Sequence, residues 1–245
     1  MNRDVVKIIS KVILSEQKVH IKLLGDSITH GVGGSGFEQN GEPIVHGFAR
    51  NADGYCWAKM FKEHMELQYN CSVTNNACTG TSIEFIIDNF EKLVDVDDDI
   101  VICTIGTNNR HQYHTDIPKH TRCEHMQNFY NNIIKLHNKF KEAEKDVIFV
   151  ANIPASAENE KYGTDFWRLF HMNDVNDIYM KASTVCGFPF ISMYLLFLEY
   201  CEFKGITVES LLSADGLHPN DKGYEVMFKL MLKELGLGQS VSEAL

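Results

Sequence analysis

Val19-His20-Ile21-Lys22-Leu23-Leu24-Gly25-Asp26-Ser27-Ile28-Thr29 is the stretch from which the rest of the chain is read. Val19, Ile21, Leu23 and Leu24 form a short apolar run of strand-forming residues, and Gly25 punctuates its end. The pattern predicts a buried strand that delivers Ser27 at its C-terminal edge. In open α/β sheets that edge carries the ligand crevice, so the position suits a nucleophile. Gly-Asp-Ser alone does not decide it, because serine is common in turns, where its hydroxyl bonds nearby backbone.

The far end of the chain bears on the question. Ala214-Asp215-Gly216-Leu217-His218-Pro219-Asn220 places an acid three residues before a histidine. Imidazole that takes a proton from serine needs a partner on its other nitrogen to fix the tautomer and stabilise the imidazolium. A carboxylate three residues back can reach it. Pro219 biases His218 away from helical backbone, which suits a rigid loop ahead of a last helix opening at Asn220 or Asp221. By itself Asp-x-x-His also fits a solvated loop, or two ligands of a metal site with no visible third.

Two more stretches complete the set. Asn75-Asn76-Ala77-Cys78-Thr79-Gly80-Thr81-Ser82 comes after the apolar alternation of Cys71 and Val73, and Ile105-Gly106-Thr107-Asn108-Asn109 comes after the run Ile100-Val101-Ile102-Cys103. Both read as polar loops leaving strand ends. With Gly-Asp-Ser, Asn-x-x-x-x-Gly, Gly-Thr-Asn and Asp-x-x-His in this order, the chain resembles the SGNH (GDSL-type) hydrolases over nearly its whole length. The resemblance implies that Ser27 is the nucleophile, that Asp215 and His218 complete a triad, and that Ser27, Gly80 and Asn108 supply oxyanion donors. It also implies a flavodoxin-like, three-layer α/β/α fold and ester hydrolysis through a covalent acyl-enzyme. No metal and no organic cofactor is required by that mechanism. Asp26, Asn109 and Arg110 are assigned to substrate binding.

At 245 residues the chain suits one well-filled α/β core, and no Pro/Gly/Ser-rich linker divides it, so residues 1–245 are expected to form a single domain. The composition, 44% hydrophobic and 23% charged, is that of an ordinary globular protein, and no apolar run reaches the ~20 residues needed to span a bilayer. A net charge of −10 opposes nucleic-acid binding, which depends on neutralising phosphates. Seven cysteines, an odd number, read as reduced thiols. Residues 1–17 lack the apolar core and small-residue cleavage site of a secretory signal. A cytoplasmic location is expected.

Along the chain, residues 2–16 place Val5, Val6, Ile9, Val12 and Ile13 on one helical face, suited to packing on the sheet or on a partner chain in a homo-oligomer more than to a membrane surface. His30-Gly31-Val32-Gly33-Gly34-Ser35-Gly36 matches G-x-G-x-x-G by accident, since the preceding strand has already ended and Pro43 interrupts any helix beyond it. Residues 30–53 read as a substrate-facing loop. Helices are expected over 55–69, 83–93, 122–144, 165–186 and 221–235, with one helix or two short ones within 195–212, and further strands over 147–153 and 188–192. This alternation argues for a parallel sheet of about five strands covered on both faces. Residues 95–99 read as a solvated acidic turn. His111, His114, His120, Cys123 and His125 match no compact zinc spacing, and the loop holding the first three reads as a substrate contact.

The family that the chain resembles includes carbohydrate O-deacetylases, lipases, lysophospholipases and thioesterases. Residues 30–53, 109–120 and 154–166 are rich in Asn, His, Asp and Glu. That favours a short acyl group, acetyl foremost, on a polar carrier such as a sugar. An O-acetyltransferase, in which a sugar hydroxyl replaces water, uses the same residues.

Overall fold

The computed structural model of the protein describes residues 3–37, 54–111, 122–161 and 168–238. Five strands form its sheet: β1 (Val19–Gly25), β2 (Cys71–Asn75), β3 (Ile100–Thr104), β4 (Asp146–Ala151) and β5 (Phe190–Ser192). Their order is β2-β1-β3-β4-β5 and every neighbouring pair is parallel, as the alternation of helices and strands predicts. Val19 lies opposite Cys71, Ile21 opposite Ile100 and Ile100 opposite Asp146. The strands therefore run in step, and their C-terminal ends reach one edge together. Strand order reverses between β1 and β3, the switch point at which open α/β sheets leave a crevice.

The strands alternate between two apolar faces. Ile21 and Leu23 of β1, Ile102 of β3 and Val150 of β4 pack against α1 (Arg3–Leu14), α3 (Trp57–Gln68), α8 (Met193–Lys204) and α9 (Asp221–Glu234). Val101, Cys103 and Phe149 meet α4 (Ile83–Asp88), α5 (Phe90–Leu93), α6 (Arg122–Glu142) and α7 (Met172–Cys186) on the other side. The result is the three-layer α/β/α arrangement expected. The apolar face of α1 is used in this packing, with Val5, Ile9 and Val12 at most 2% exposed. Among the described residues no helix is long and apolar enough to cross a membrane.

Four local expectations change. The helix predicted over 83–93 breaks at Asn89, whose side-chain amide donates to the Phe85 carbonyl (3.0 Å). The helix predicted over 165–186 begins only at Met172. There the Asp174 carboxylate accepts the His171 N–H (2.7 Å) and Glu160 accepts the Met172 N–H (3.2 Å), closing the first turn from both sides. A short helix, α2 (Ser27–His30), comes directly after β1. The acidic turn is not simply solvated: Lys22, 1% exposed on β1, places its ammonium 2.7 Å from Asp95 and 3.3 Å from the buried Asp98. A strand lysine facing the interior needs such partners, because an unpaired buried charge is very costly.

Candidate active site

Ser27 is the first residue of α2, placed beyond the end of β1, and is 4% exposed. Its Oγ lies 2.7 Å from His218 Nε2, a contact that spans 191 residues of sequence. On the other side of the ring, Nδ1 is 2.5 Å from Asp215 Oδ2. A proton on Nδ1 satisfies the carboxylate and leaves Nε2 to accept from the Ser27 hydroxyl. Asp215 Oδ1 accepts from the Ser213 hydroxyl (2.8 Å) and from the Leu217 and His218 N–H groups (2.9 and 3.0 Å), so the acid cannot swing away from the ring. Burial pushes its carboxyl up, but the bonds from His218 and Leu217 outweigh that and hold it at about 2. Asp215 is thus an anion throughout the neutral range.

The 212–219 segment is a tight loop, closed by a bridge between Leu212 and Pro219 and by the Ser213 N–H to the His218 carbonyl (2.7 Å). Asn220 then caps α9 by accepting the Gly223 N–H (3.0 Å). Two distant segments brace the loop. After β4, the Ser156 N–H donates to Gly216 O (2.8 Å) and the Asn159 side chain to Asp215 O (3.2 Å). From the other side comes the Gly-rich segment after α2. Gly33, at φ +94°, lies so close that a Cβ there would sit 2.5 Å from Pro219 O and 3.0 Å from His218 Cβ. Gly33 and Gly34 serve close backbone packing. Residues 38–53, 112–121 and 162–167, which include the outer parts of the three loops expected to face substrate, lie outside the described residues.

Gly80 lies beyond β2 and is exposed, and Asn108 lies beyond β3 with its side-chain amide donating to Thr81 O (2.9 Å). Both therefore stand at the same sheet edge as Ser27. The structure places Asp26, Asn109 and Arg110, the residues assigned to substrate binding, in the interior beside the sheet edge. All three are buried, and their polar atoms bond within the protein except Arg110 Nη2, which has no hydrogen-bond partner among the described residues. Asn109 accepts the Ile83 N–H (3.0 Å) and donates to Glu84 (2.7 Å), tying the loop to α4. Arg110 pairs with Glu160 (3.1 Å) and donates from Nε to Thr107 O (3.1 Å); burial lowers its pKa to about 10, with Glu160 opposing. Asp26 caps α2 by accepting the Ile28 N–H (3.0 Å) and also accepts from Asn152 (2.9 Å). Full burial raises its carboxyl to about 6 against the bonds from Ile28 and Thr107 and the charges of His218 and Arg110. Sequence position gives distance from the nucleophile but not the direction a side chain takes.

Sequence reasoning gave no individual role to Asn152, Thr107, Ser156 and Asn159, although Thr107 lies in the Gly-Thr-Asn motif and Ser156 and Asn159 in the polar loop after β4. They come after strands as Ser27 and Asn108 do, and their place just past a strand end is the one signal that could have drawn attention to them. Of the histidine cluster, His114 and His120 lie outside the described residues. His111 pairs in a bridge with Arg168, and His125 is buried on α6. Among the described residues no three His, Cys, Asp or Glu side chains converge as a metal site would require.

The fold is shared with known proteins. The acetylxylan esterase Axe2 of Geobacillus stearothermophilus superposes with a TM-score of 0.65 at 19% identity, over 91% of this chain and 98% of that one. A lipase/acylhydrolase from Enterococcus faecalis gives 0.62 at 20%, over 89% and 95%. LAE5, an α/β hydrolase enzyme from the metagenome of Lake Arreo, Spain, gives 0.66 at 17%, over 91% and 98%. None of the curated proteins matches the sequence. The model of the GDSL-like lipase/acylhydrolase family matches residues 23–226, most of the chain, from the end of β1 through β5 and into α9. The chain therefore belongs to the GDSL-like lipase/acylhydrolase family and is a carboxylic ester hydrolase.

Proposed function

We propose that this enzyme hydrolyses short-chain acyl esters, above all O-acetyl groups on a carbohydrate, through an acyl-Ser27 intermediate. The observation that carries the mechanism is the continuous hydrogen-bonded series Ser27 Oγ, His218 Nε2, His218 Nδ1, Asp215 Oδ2. His218 accepts the Ser27 proton as Oγ attacks the ester carbonyl, and then returns it to the departing alcohol. Asp215 holds the ring and stabilises the imidazolium. In the second half, His218 deprotonates water, which attacks the acyl-enzyme and releases the acid and free Ser27. The Ser27 and Gly80 N–H groups and the Asn108 amide are assigned to the oxyanion. Each such donor is typically worth about 3 kcal/mol in the transition state.

The polar composition of residues 30–53, 109–120 and 154–166 supports a small acyl group on a polar carrier, and the fold is shared with an acetylxylan esterase. All seven cysteines are free thiols, which accords with a reducing, cytoplasmic setting. The test is hydrolysis of p-nitrophenyl esters from acetyl to octanoyl, together with acetate release from an acetylated xylo-oligosaccharide. Wild type should favour acetyl and release acetate from the sugar, and an organophosphate should label Ser27. Ser27→Ala should keep the circular dichroism of wild type and lose nearly all activity. Retained activity in Ser27→Ala sinks the mechanism. A preference for octanoyl sinks the substrate assignment alone.

A further inference from the structure

We propose that His30 is a positioning residue of the reaction, which by holding Thr79 fixes the peptide that turns the Gly80 N–H toward the substrate. This rests on the reading of Ser27 as nucleophile and Gly80 as oxyanion donor. His30 closes α2, three residues after Ser27, and residues three apart share a helix face. Its ring is almost fully buried, with Nδ1 2.9 Å from Thr79 Oγ1 and its plane edge-on to Phe37 at 5.0 Å and 87°. Burial lowers the imidazole pKa from its ordinary value and favours the neutral ring. Neutral imidazole offers one donor and one acceptor, and a threonine hydroxyl meets either.

The turn that Thr79 occupies makes the contact matter. The Thr81 N–H donates to Cys78 O (3.2 Å), closing a four-residue turn with Thr79 and Gly80 at its centre. Gly80 has φ +80°, the value a type II turn needs at its third position, and an added Cβ there would meet nothing within 4 Å. The glycine is thus needed for its backbone conformation and not for space. Type I and type II turns differ by a flip of the central peptide, which reverses the direction of its N–H. Here that peptide joins Thr79 to Gly80. The bonds that fix the preceding residues, Asn76 N–H to Leu23 O (2.9 Å), Asn75 amide to Thr29 O (3.0 Å) and Cys78 N–H to Gly25 O (3.1 Å), all act upstream of it. At the peptide itself there is a long thiol contact from Cys78 Sγ to Thr79 O (3.7 Å), and there is His30 on the Thr79 side chain. One four-residue helix then sets both partners of the reaction, Ser27 at its start and the Gly80 donor through His30 at its end.

Steady-state kinetics of His30→Ala, His30→Asn, Thr79→Val and the His30→Ala/Thr79→Val double variant test this on p-nitrophenyl acetate. His30→Ala should lower kcat and kcat/KM together, roughly ten- to a hundredfold, with KM unchanged, because an oxyanion donor acts in the transition state. Thr79→Val should lose a similar factor, and the double variant should be no worse than either single, as residues acting through one bond require. His30→Asn, which keeps a polar atom near the position of Nδ1, should recover much of the rate. If His30→Ala fails to fold by circular dichroism, the near-isosteric Thr79→Val decides alone: a lowered kcat supports the proposal and a wild-type kcat overturns it. Losses that multiply in the double variant, a change confined to KM, or a kcat within twofold of wild type also overturn it. Failure of the underlying reading shows separately, as absence of organophosphate label on wild-type Ser27.

Discussion

Asp26 and Asp215 are carboxylates with opposite environments, and the difference sets what each does with pH. Asp26 is wholly buried, and burial raises its pKa from 3.8 to about 6. A carboxyl whose folded pKa lies above its unfolded one binds its proton more tightly in the folded protein. Its contribution to stability is therefore complete below 3.8 and is lost as pH rises through about 6. The magnitude is roughly 3 kcal/mol. Asp26→Asn removes the charge but keeps an acceptor for the Ile28 N–H, and Asn152 can turn its amide to accept from the new one. Thermal midpoints of wild type and Asp26→Asn should accordingly separate as pH rises from about 4 to about 7, with the variant gaining relative to wild type. A separation that does not change with pH means that Asp26 carries no charge penalty. Asp215 has the reverse sign, since its pKa is lowered to about 2: its contribution is present above 3.8 and is lost as pH falls through about 2. That contribution is small, because the side chain is 48% exposed and solvent screens it.

At the scale of elements, β1 carries a charge into the interior and the β2–β3 connection answers it. Lys22 is 1% exposed, and Asp98, itself buried, also accepts the Asp95 N–H (2.7 Å). Burial raises the Asp98 pKa while that N–H and Lys22 oppose it. Removing one member of a buried pair strands the other, so Lys22→Met should cost about 3–5 kcal/mol in urea denaturation. Lys22→Met/Asp98→Asn should recover much of it, because no net charge is then left inside and the Asp95 N–H keeps an acceptor. Equal losses in the single and double variants would mean that Lys22 acts through packing alone. This clamp also marks what sequence reading can reach. Runs such as Ile100-Val101-Ile102-Cys103 announce buried strands, because the apolar residues that make the strand are contiguous. The five-strand parallel sheet and the order of the Ser27, Gly80, Asn108 and Asp215–His218 segments are legible for that reason. The partner of Lys22 is not, since Asp98 is far off in sequence and acidic runs are usually solvated. The start of α7 escapes local patterns on the same account: it is capped in part by Glu160, which belongs to the loop after β4.

For the molecule as a whole, the central fact is that Ser27 and His218 come from opposite ends of the chain and meet at the C-terminal edge of the sheet. Packing of α9 in the core brings His218 near, but near is not sufficient for a proton transfer that needs hydrogen-bond distance. Part of the remaining precision comes from the loop after β4 and part from the Gly-rich segment. Val32 O accepts from the Tyr224 hydroxyl (2.6 Å), and Ser35 donates its N–H (2.7 Å) and its hydroxyl (2.5 Å) to Asp221, so this segment is stitched to α9 on either side of Gly33. A methyl at Gly33 would have to displace Pro219 or His218 by a large fraction of an ångström. Gly36 supplies the control: its φ of +74° is equally left-handed, but a Cβ there meets nothing within 4 Å. Alanine at either site should cost about 1–2 kcal/mol for the backbone conformation. Gly33→Ala should in addition lower kcat at least roughly tenfold by lengthening the Ser27–His218 bond, a misplacement to which catalysis is steeply sensitive, whereas Gly36→Ala should keep kcat near wild type. Thermal midpoints and kcat on one ester, measured for both variants, separate the two effects. If both variants lose stability alike and neither loses kcat, the Gly-rich segment only covers α9, and the position of His218 is set by the loop after β4.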